Sequence, residues 1–179
     1  MKKWIAKEKS LKFKGKIFEY YEQKFFSPYS NQEGSFDILN FANWVNVIAI
    51  TKNDEIVMVK QFRVGSNDFT CELPGGAIDM GEEPLKAARR ELVEETGFKA
   101  TRWEKLFTVT PNPAFQRNKC ITYIAYDATA CGEIFPDFME EIQVEKWSWE
   151  KIHVGIEKGY INHALIVAAL YRAARHLGR

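Results

Sequence analysis

The chain has 179 residues, a length that suits a single domain, and 46% hydrophobic with 27% charged residues excludes wholesale disorder. With 25 Lys and Arg against 24 Asp and Glu, the net charge of +1 gives no global reason to expect a nucleic acid or an anionic membrane as partner. Three cysteines, Cys71, Cys120 and Cys131, follow no C-x-x-C spacing, so neither a disulfide framework nor a zinc site is implied.

Met1-Lys2-Lys3 is basic, but Trp4-Ile5-Ala6 runs at once into Lys7-Glu8-Lys9, and no apolar core of a signal peptide forms. No run approaches the ~18 apolar residues of a membrane span, so a soluble, cytoplasmic protein is expected. Residues 1–40 hold nine of the 25 aromatic side chains and eight lysines against five acids. Lys7, Lys9, Lys12, Lys14 and Lys16 fall among Ile5, Leu11, Phe13, Ile17 and Phe18 in rough alternation, the pattern of a strand. A solvated strand face is favoured over a basic binding patch. Residues 1–43 therefore read as an antiparallel β arm, and one this aromatic needs the main domain or a second subunit to cover it.

From residue 44 the punctuation is clear. Residues 44–50 read as a buried strand, Asn53-Asp54 as a turn and residues 56–64 as the returning strand of a hairpin. Gly65 to Asp68 turns the chain into a further strand at 69–73. Residues 84–96 read as a helix, with Pro84 suited to its first position and Gly97 to a left-handed C-cap. Strands are expected near 103–110 and 120–128, a loop around 132–138 and a strand at 142–147. Ser148 can cap a short helix ending at Gly159, and Asn162 a last helix carrying Ala164, Leu165, Ala168, Leu170, Tyr171 and Ala174. The order gives an α+β fold, a mixed sheet sandwiched by helices over 44–179, plus the arm.

On a helical wheel of residues 84–96, Leu85, Ala88, Leu92 and Thr96 form a core-facing stripe, and Glu91, Glu94 and Glu95 fill the adjacent sector. Like charges three and four apart destabilise a helix, and acids near its C-terminus oppose the dipole. A bound divalent cation removes both conflicts, because hard cations seek several carboxylate oxygens. Arg90, four residues before Glu94, can pair with that carboxylate and steer it. Residues 72–98 carry seven acids and three bases, a local −4 in a chain of +1, and Gly75-Gly76 allows the main chain to approach an ion and expose a carbonyl. An acidic solvated face is the bland alternative; the local concentration of acids favours a metal site.

Gly76, Glu82, Arg90, Glu91, Leu92, Glu94, Glu95, Gly97 and Phe98 match the Nudix box, G-x5-E-x7-R-E-U-x-E-E-x-G-U with U a bulky apolar residue, at every fixed position over 76–98. The chain thus resembles the Nudix hydrolases from about residue 44 to its end. The resemblance implies an α/β/α sandwich and hydrolysis of a nucleoside diphosphate linked to another moiety, with Mg²⁺ or Mn²⁺. Carried onto this chain, Glu91 and Glu95 would be the main metal ligands. Glu94 would contribute, and so would the carbonyl of Gly75, while Glu82 would support the loop-helix-loop. The general base of such enzymes often sits on a separate acidic loop. Glu140 and Glu141 are the candidates here, with Asp137 weaker. Glu140 is favoured because Glu-Glu-Ile-x-Val is similar to the stretch that carries this acid in ADP-ribose pyrophosphatases.

Glu72-Leu73-Pro74-Gly75-Gly76 resembles the E-L-P-A-G segment of the ADP-sugar pyrophosphatase branch, with Gly75 in place of the usual alanine. Pro113, fifteen residues beyond the box, and Gln61-Phe62-Arg63 also resemble that branch. Glu72 and Arg63 are therefore candidate substrate-binding residues, Arg63 through phosphate or base, against an ordinary surface ion pair. Trp44 and Phe115 could stack on a base, although an aromatic on a strand is more often core. The loop 111–118 departs from the ADP-ribose enzymes and leaves the sugar open. The expected activity is hydrolysis of an ADP-sugar such as ADP-ribose to AMP and a sugar phosphate. The alternatives are another nucleotide substrate or a non-catalytic nucleotide-sugar sensor. The resemblance also implies a homodimer in which N-terminal strands reach across to the partner. His153, His163 and His176 read as helix-surface residues, and no G-x-S-x-G, G-x4-G-K-[ST] or G-x-G-x-x-G motif supports another chemistry.

Overall fold

The computed structural model describes residues 2–132, 134–135 and 141–179. They form two compact units, one of the described residues within 2–43 and 109–119, the other of those within 44–108 and 120–179.

In the first unit, β1 (Ile5–Lys14), β2 (Phe18–Ser27) and β3 (Gln32–Phe41) form an antiparallel sheet in that order. The β2–β3 turn is closed by Asn31 in a left-handed conformation (φ 55°), which asparagine tolerates, and by Ser27 Oγ accepting from the Ser30 amide. Aromatic pairs knit the sheet, among them Phe18–Phe41 at 5.6 Å and Phe25–Phe36 at 5.8 Å between ring centroids. The lysines of β1 are engaged with β2: Lys9 lies 3.5 Å from the centre of the Tyr21 ring, Lys7 lies over Phe26, and Lys12 and Lys14 pair with Glu22 and Glu19. This is the solvated strand face expected above, its charge largely answered within the sheet. The 109–119 segment joins β3 through Leu39 N to Phe115 O at 2.8 Å and Arg117 N to Leu39 O at 3.1 Å.

The second unit has a mixed sheet in the order β10-β5-β4-β9-β7, with β6 on β5 and β8 on β9. Its strands are β4 (Trp44–Thr51), β5 (Ile56–Arg63), β6 (Asp68–Glu72), β7 (Phe98–Lys99), β8 (Arg102–Val109), β9 (Cys120–Ala130) and β10 (Ile142–Trp147). β4 and β9 run parallel, and the other registered pairs are antiparallel. Strand alternation sorts the core. Val45, Val47, Ala49 and Val57 meet Ala87, Ala88 and Leu92 of helix α1 (Pro84–Thr96). Ile48, Ile56 and Met58 face Ile152 of α2 (Trp149–Glu157) and Ile166, Ala169 and Leu170 of α3 (Ala164–Leu177). Helices thus cover both faces, as an α/β/α sandwich requires. None of the described helices is long and apolar enough to cross a membrane.

One local expectation is refined and one corrected. The β4–β5 hairpin forms at Ile50 opposite Ile56, but the strands then part, and residues 74–76 take the place beside β4: Val45 N donates to Gly76 O and Val47 N to Pro74 O. The last helix is capped by His163 rather than Asn162, with its Nδ1 accepting from Leu165 N at 3.2 Å. Buried Ile161, bonded through its amide to Gly155 O, sets the chain register that brings residue 163 to the cap.

Candidate active site

Helix α1 supplies most of the site. Glu83 accepts from the Lys86 amide at its N-terminus, Pro84 takes its first position, and Gly97 closes it with φ 65°. The stripe of Ala88, Leu92 and Thr96 faces the core, and that fixes where the acidic sector points. Glu95, only 4% exposed, accepts from the Gly75 amide at 2.9 Å. The Gly75 loop, laid along β4 by the two hydrogen bonds above, therefore lies against the C-terminal half of α1.

Arg90 gathers the remaining acids. Its Nε and Nη2 donate to Glu82 at 3.1 and 3.0 Å, and its Nη1 to Glu91 at 2.9 Å and Glu94 at 3.0 Å. A further bond from Nη2 to the Ala77 carbonyl ties the loop to the helix. The guanidinium holds the Glu82 carboxyl below its usual range against the upward push of burial, and these carboxylates in turn raise Arg90. Glu82, placed by the sequence in a supporting role, is thus a direct partner of Arg90.

The donor set suits a hard divalent cation, since it offers carboxylate oxygens and main-chain carbonyls and no soft ligand. The backbone also fits: a Cβ on Gly76 would lie 2.5 Å from Glu91 Oε1, so the loop runs directly against that carboxylate. Among the described residues no three acidic, imidazole or thiol groups already converge on one point. Glu91 and Glu94 each have one carboxylate oxygen on Arg90.

Arg63 and Glu72, two separate candidates in the sequence, are partners. Arg63 Nε and Nη2 each donate to Glu72 at 2.8 Å, a two-pronged fork between β5 and β6. Thr70 Oγ1 donates to the same Glu72 Oε1 at 2.5 Å. Glu72 is 2% exposed, and burial pushes its carboxyl up. Arg63 and Thr70 outweigh that and hold it below the usual range. Thr70 was missed in the sequence, where it reads as a plain strand residue.

Register separates the remaining candidates. Gln61, Thr70 and Ile142 share one sheet face, that of Val59, Arg63 and Glu72; Lys60, Cys71 and Gln143 share the other. Glu141 lines a shallow groove of about 380 Å³ with Lys60, Phe69 and Gln143, on the latter face. Glu140 and Asp137 lie outside the described residues. Trp44 is half-buried at the start of β4, opposite Cys120 and bridged to Ala77. Phe115 belongs to the first unit, 38% exposed, where it borders an apolar groove of about 590 Å³ with Phe13, Phe18, Tyr20, Asp37 and Leu39. Burial raises the thiols of Cys71 and Cys120, the latter to about 12, so neither is a nucleophile at neutral pH.

The site is thus a helix with one buried face that carries R-E-L-x-E-E against a diglycine loop. The NUDIX domain profile matches residues 42–170, more than half of the chain, and the chain belongs to the Nudix family of hydrolases. The ADP-ribose pyrophosphatase of Bacillus subtilis (strain 168) is 33% identical over 131 residues, covering 73% of this chain and 69% of that protein. The methanol dehydrogenase activator of Bacillus methanolicus is 32% identical over 125 residues, 68% of this chain and 67% of that one. A crystal structure of an ADP compounds hydrolase superposes with a TM-score of 0.86 over 99% of this chain and 96% of its own; at 20% identity the likeness is one of fold. Hydrolases of this family use divalent metal ions.

Proposed function

We propose that the protein hydrolyses the pyrophosphate bond of an ADP-sugar such as ADP-ribose, giving AMP and a sugar phosphate, with Mg²⁺ or Mn²⁺ as its metal. The observation that carries this is the pairing of the complete α1 acid set with the Arg63–Glu72 fork in one unit, together with the likeness to the B. subtilis ADP-ribose pyrophosphatase. Glu91, Glu94 and Glu95, with the Gly75 carbonyl, would hold the metal. When bound, the ion neutralises pyrophosphate charge and lowers the pKa of an attacking water.

The chain's own groups do the rest. Arg90 keeps Glu91 and Glu94 at one place on the helix, which limits the mutual repulsion of the acids. Glu95, tied to the Gly75 amide, keeps helix and loop in register. Arg63 is 42% exposed, so its guanidinium can meet a phosphate oxygen while Glu72 fixes its orientation. Glu140 is the favoured general base because Glu-Glu-Ile-x-Val is similar to the stretch that carries this acid in ADP-ribose pyrophosphatases; Glu141 lies with Lys60 and Phe69 on the sheet face away from Arg63. Trp44 and Phe115 are the aromatic candidates for the base.

The test is hydrolysis of a nucleotide panel with Mg²⁺, the products identified by mass, with Glu95→Gln alongside. The expected result is AMP and a sugar phosphate from ADP-ribose, with turnover nearly abolished in the variant. Preference for a nucleoside triphosphate, a dinucleoside polyphosphate or a GDP-sugar would overturn the substrate, and wild-type rates in Glu95→Gln would overturn the metal assignment.

A further inference from the structure

We propose that Thr70 is a positioning residue for the substrate: its hydroxyl, acting through Glu72, fixes the aim of the Arg63 guanidinium. The inference rests on the functional reading above for its kinetic consequence, and on geometry alone for its structural one.

Glu72 is the middle of a three-member chain. Its Oε1 accepts from both Arg63 Nε, at 2.8 Å, and Thr70 Oγ1, at 2.5 Å, while Oε2 takes the second prong from Arg63 Nη2. Thr70 and Glu72 are both buried, at 6% and 2% exposure. A carboxylate removed from water requires its hydrogen bonds to be made inside the protein, and here the hydroxyl makes the one that Arg63 does not. The consequence is directional. An arginine fork alone fixes two groups relative to each other but leaves the pair free to swing together on long side chains. A short bond from a threonine whose rotamer is restricted by its β-branch ties the carboxylate to the backbone of β6. Thr70 stands opposite Gln61 and next to the Arg63 strand, so the anchor, the carboxylate and the guanidinium all lie on one face of β5 and β6. Arg63 is the half-exposed member, and it is the one that a bound anion would meet. A preset guanidinium has less conformational freedom to lose on binding, so its effect belongs to substrate affinity rather than to the chemical step.

The test compares Thr70→Val, which keeps the shape and removes the hydroxyl, with Thr70→Ser, which keeps the hydroxyl. Wild type and both variants are assayed as the Mg²⁺-loaded full chain on the best substrate of the nucleotide panel. The expected result for Thr70→Val is a rise in KM of about tenfold with kcat within about twofold, and recovery of most of the loss in Thr70→Ser. In parallel, NMR follows the Arg63 Nε–H, assigned by its disappearance in Arg63→Lys. It should be protected from exchange in wild type and Thr70→Ser, and exposed in Thr70→Val. An unchanged KM in Thr70→Val, equal damage in both variants, or an Arg63 Nε–H equally protected in all three overturns the role of Thr70. If no panel nucleotide is hydrolysed by wild type, the functional reading fails. The NMR comparison then still decides whether Thr70 fixes Arg63.

Discussion

Glu72 is the middle of a buried hydrogen-bond chain, accepting from Arg63 on one side and Thr70 on the other. Its carboxylate is held below the usual range, so the sign of its pH linkage is fixed: the stability it contributes is present above the unfolded carboxyl value near ~4.3 and is lost as pH falls through the lower folded value. Glu82 and Glu145 are depressed as well and add to the same acid window. Thermal unfolding followed from pH 7 to pH 2 is expected to show Tm falling below about pH 4. Glu72→Gln should begin about 2 kcal/mol less stable at pH 7, the loss of charge-assisted hydrogen bonds with Arg63 still partly in water, and show a shallower acid slope. An unchanged slope would mean that Glu72 is not a source of the acid sensitivity. The sequence displayed both Arg63 and Glu72 through their likeness to known segments, but not their pairing. Pairing depends on the register that the turn between β5 and β6 imposes, Arg63 opposite Asp68 and Val59 opposite Glu72, which no single-residue property encodes.

At the scale of elements, α1 was the most legible part of the chain because its signals are local. Pro84, Gly97 and the spacing of Ala88, Leu92 and Thr96 settle its ends and its buried face without help from elsewhere. The cap of α3 was less so: Asn162 has the better intrinsic propensity, but burial of Ile161 decides which residue reaches the cap. The insertion of residues 74–76 beside β4 was invisible, since it is a non-local pairing that replaces part of a hairpin the sequence itself favours. Strand β10 has a functional corollary. Its register aligns Gln143 with Lys60, and Glu141 shares the groove of Lys60 and Phe69. Glu140→Gln is therefore expected to lower kcat by about 10²–10⁴, the usual worth of a general base, and Glu141→Gln to leave it within about twofold. The reverse ranking in steady-state kinetics would move the base to Glu141.

For the whole molecule, the aromatic bias of residues 1–43 is the main feature that the second unit does not need. β1 to β3 leave Trp4, Leu11, Phe13, Ile17 and Tyr29 exposed even after their own ring pairs form. Such a surface is characteristic of an interaction face, and we infer a homodimer formed through it. Light scattering after size exclusion is expected to give twice the chain mass. A monomer mass, or unchanged solubility and mass after deletion of residues 1–40, would remove the inference. Because the lysines of β1 are already engaged by Glu19, Glu22, Tyr21 and Phe26, this association should depend little on salt.

The diglycine loop also constrains how this chain can change. Where the ADP-sugar branch it resembles has alanine, position 75 here is glycine, and a Cβ on it would run into the Val45 carbonyl. The path of residues 74–76 along β4 is fixed by hydrogen bonds to Val45 and Val47, so the loop cannot retreat without breaking the pairing that keeps it near Glu95. Alanine at 75 would strike the backbone of the strand. A side chain at 75 therefore acts on the strand pairing before it acts on any ligand.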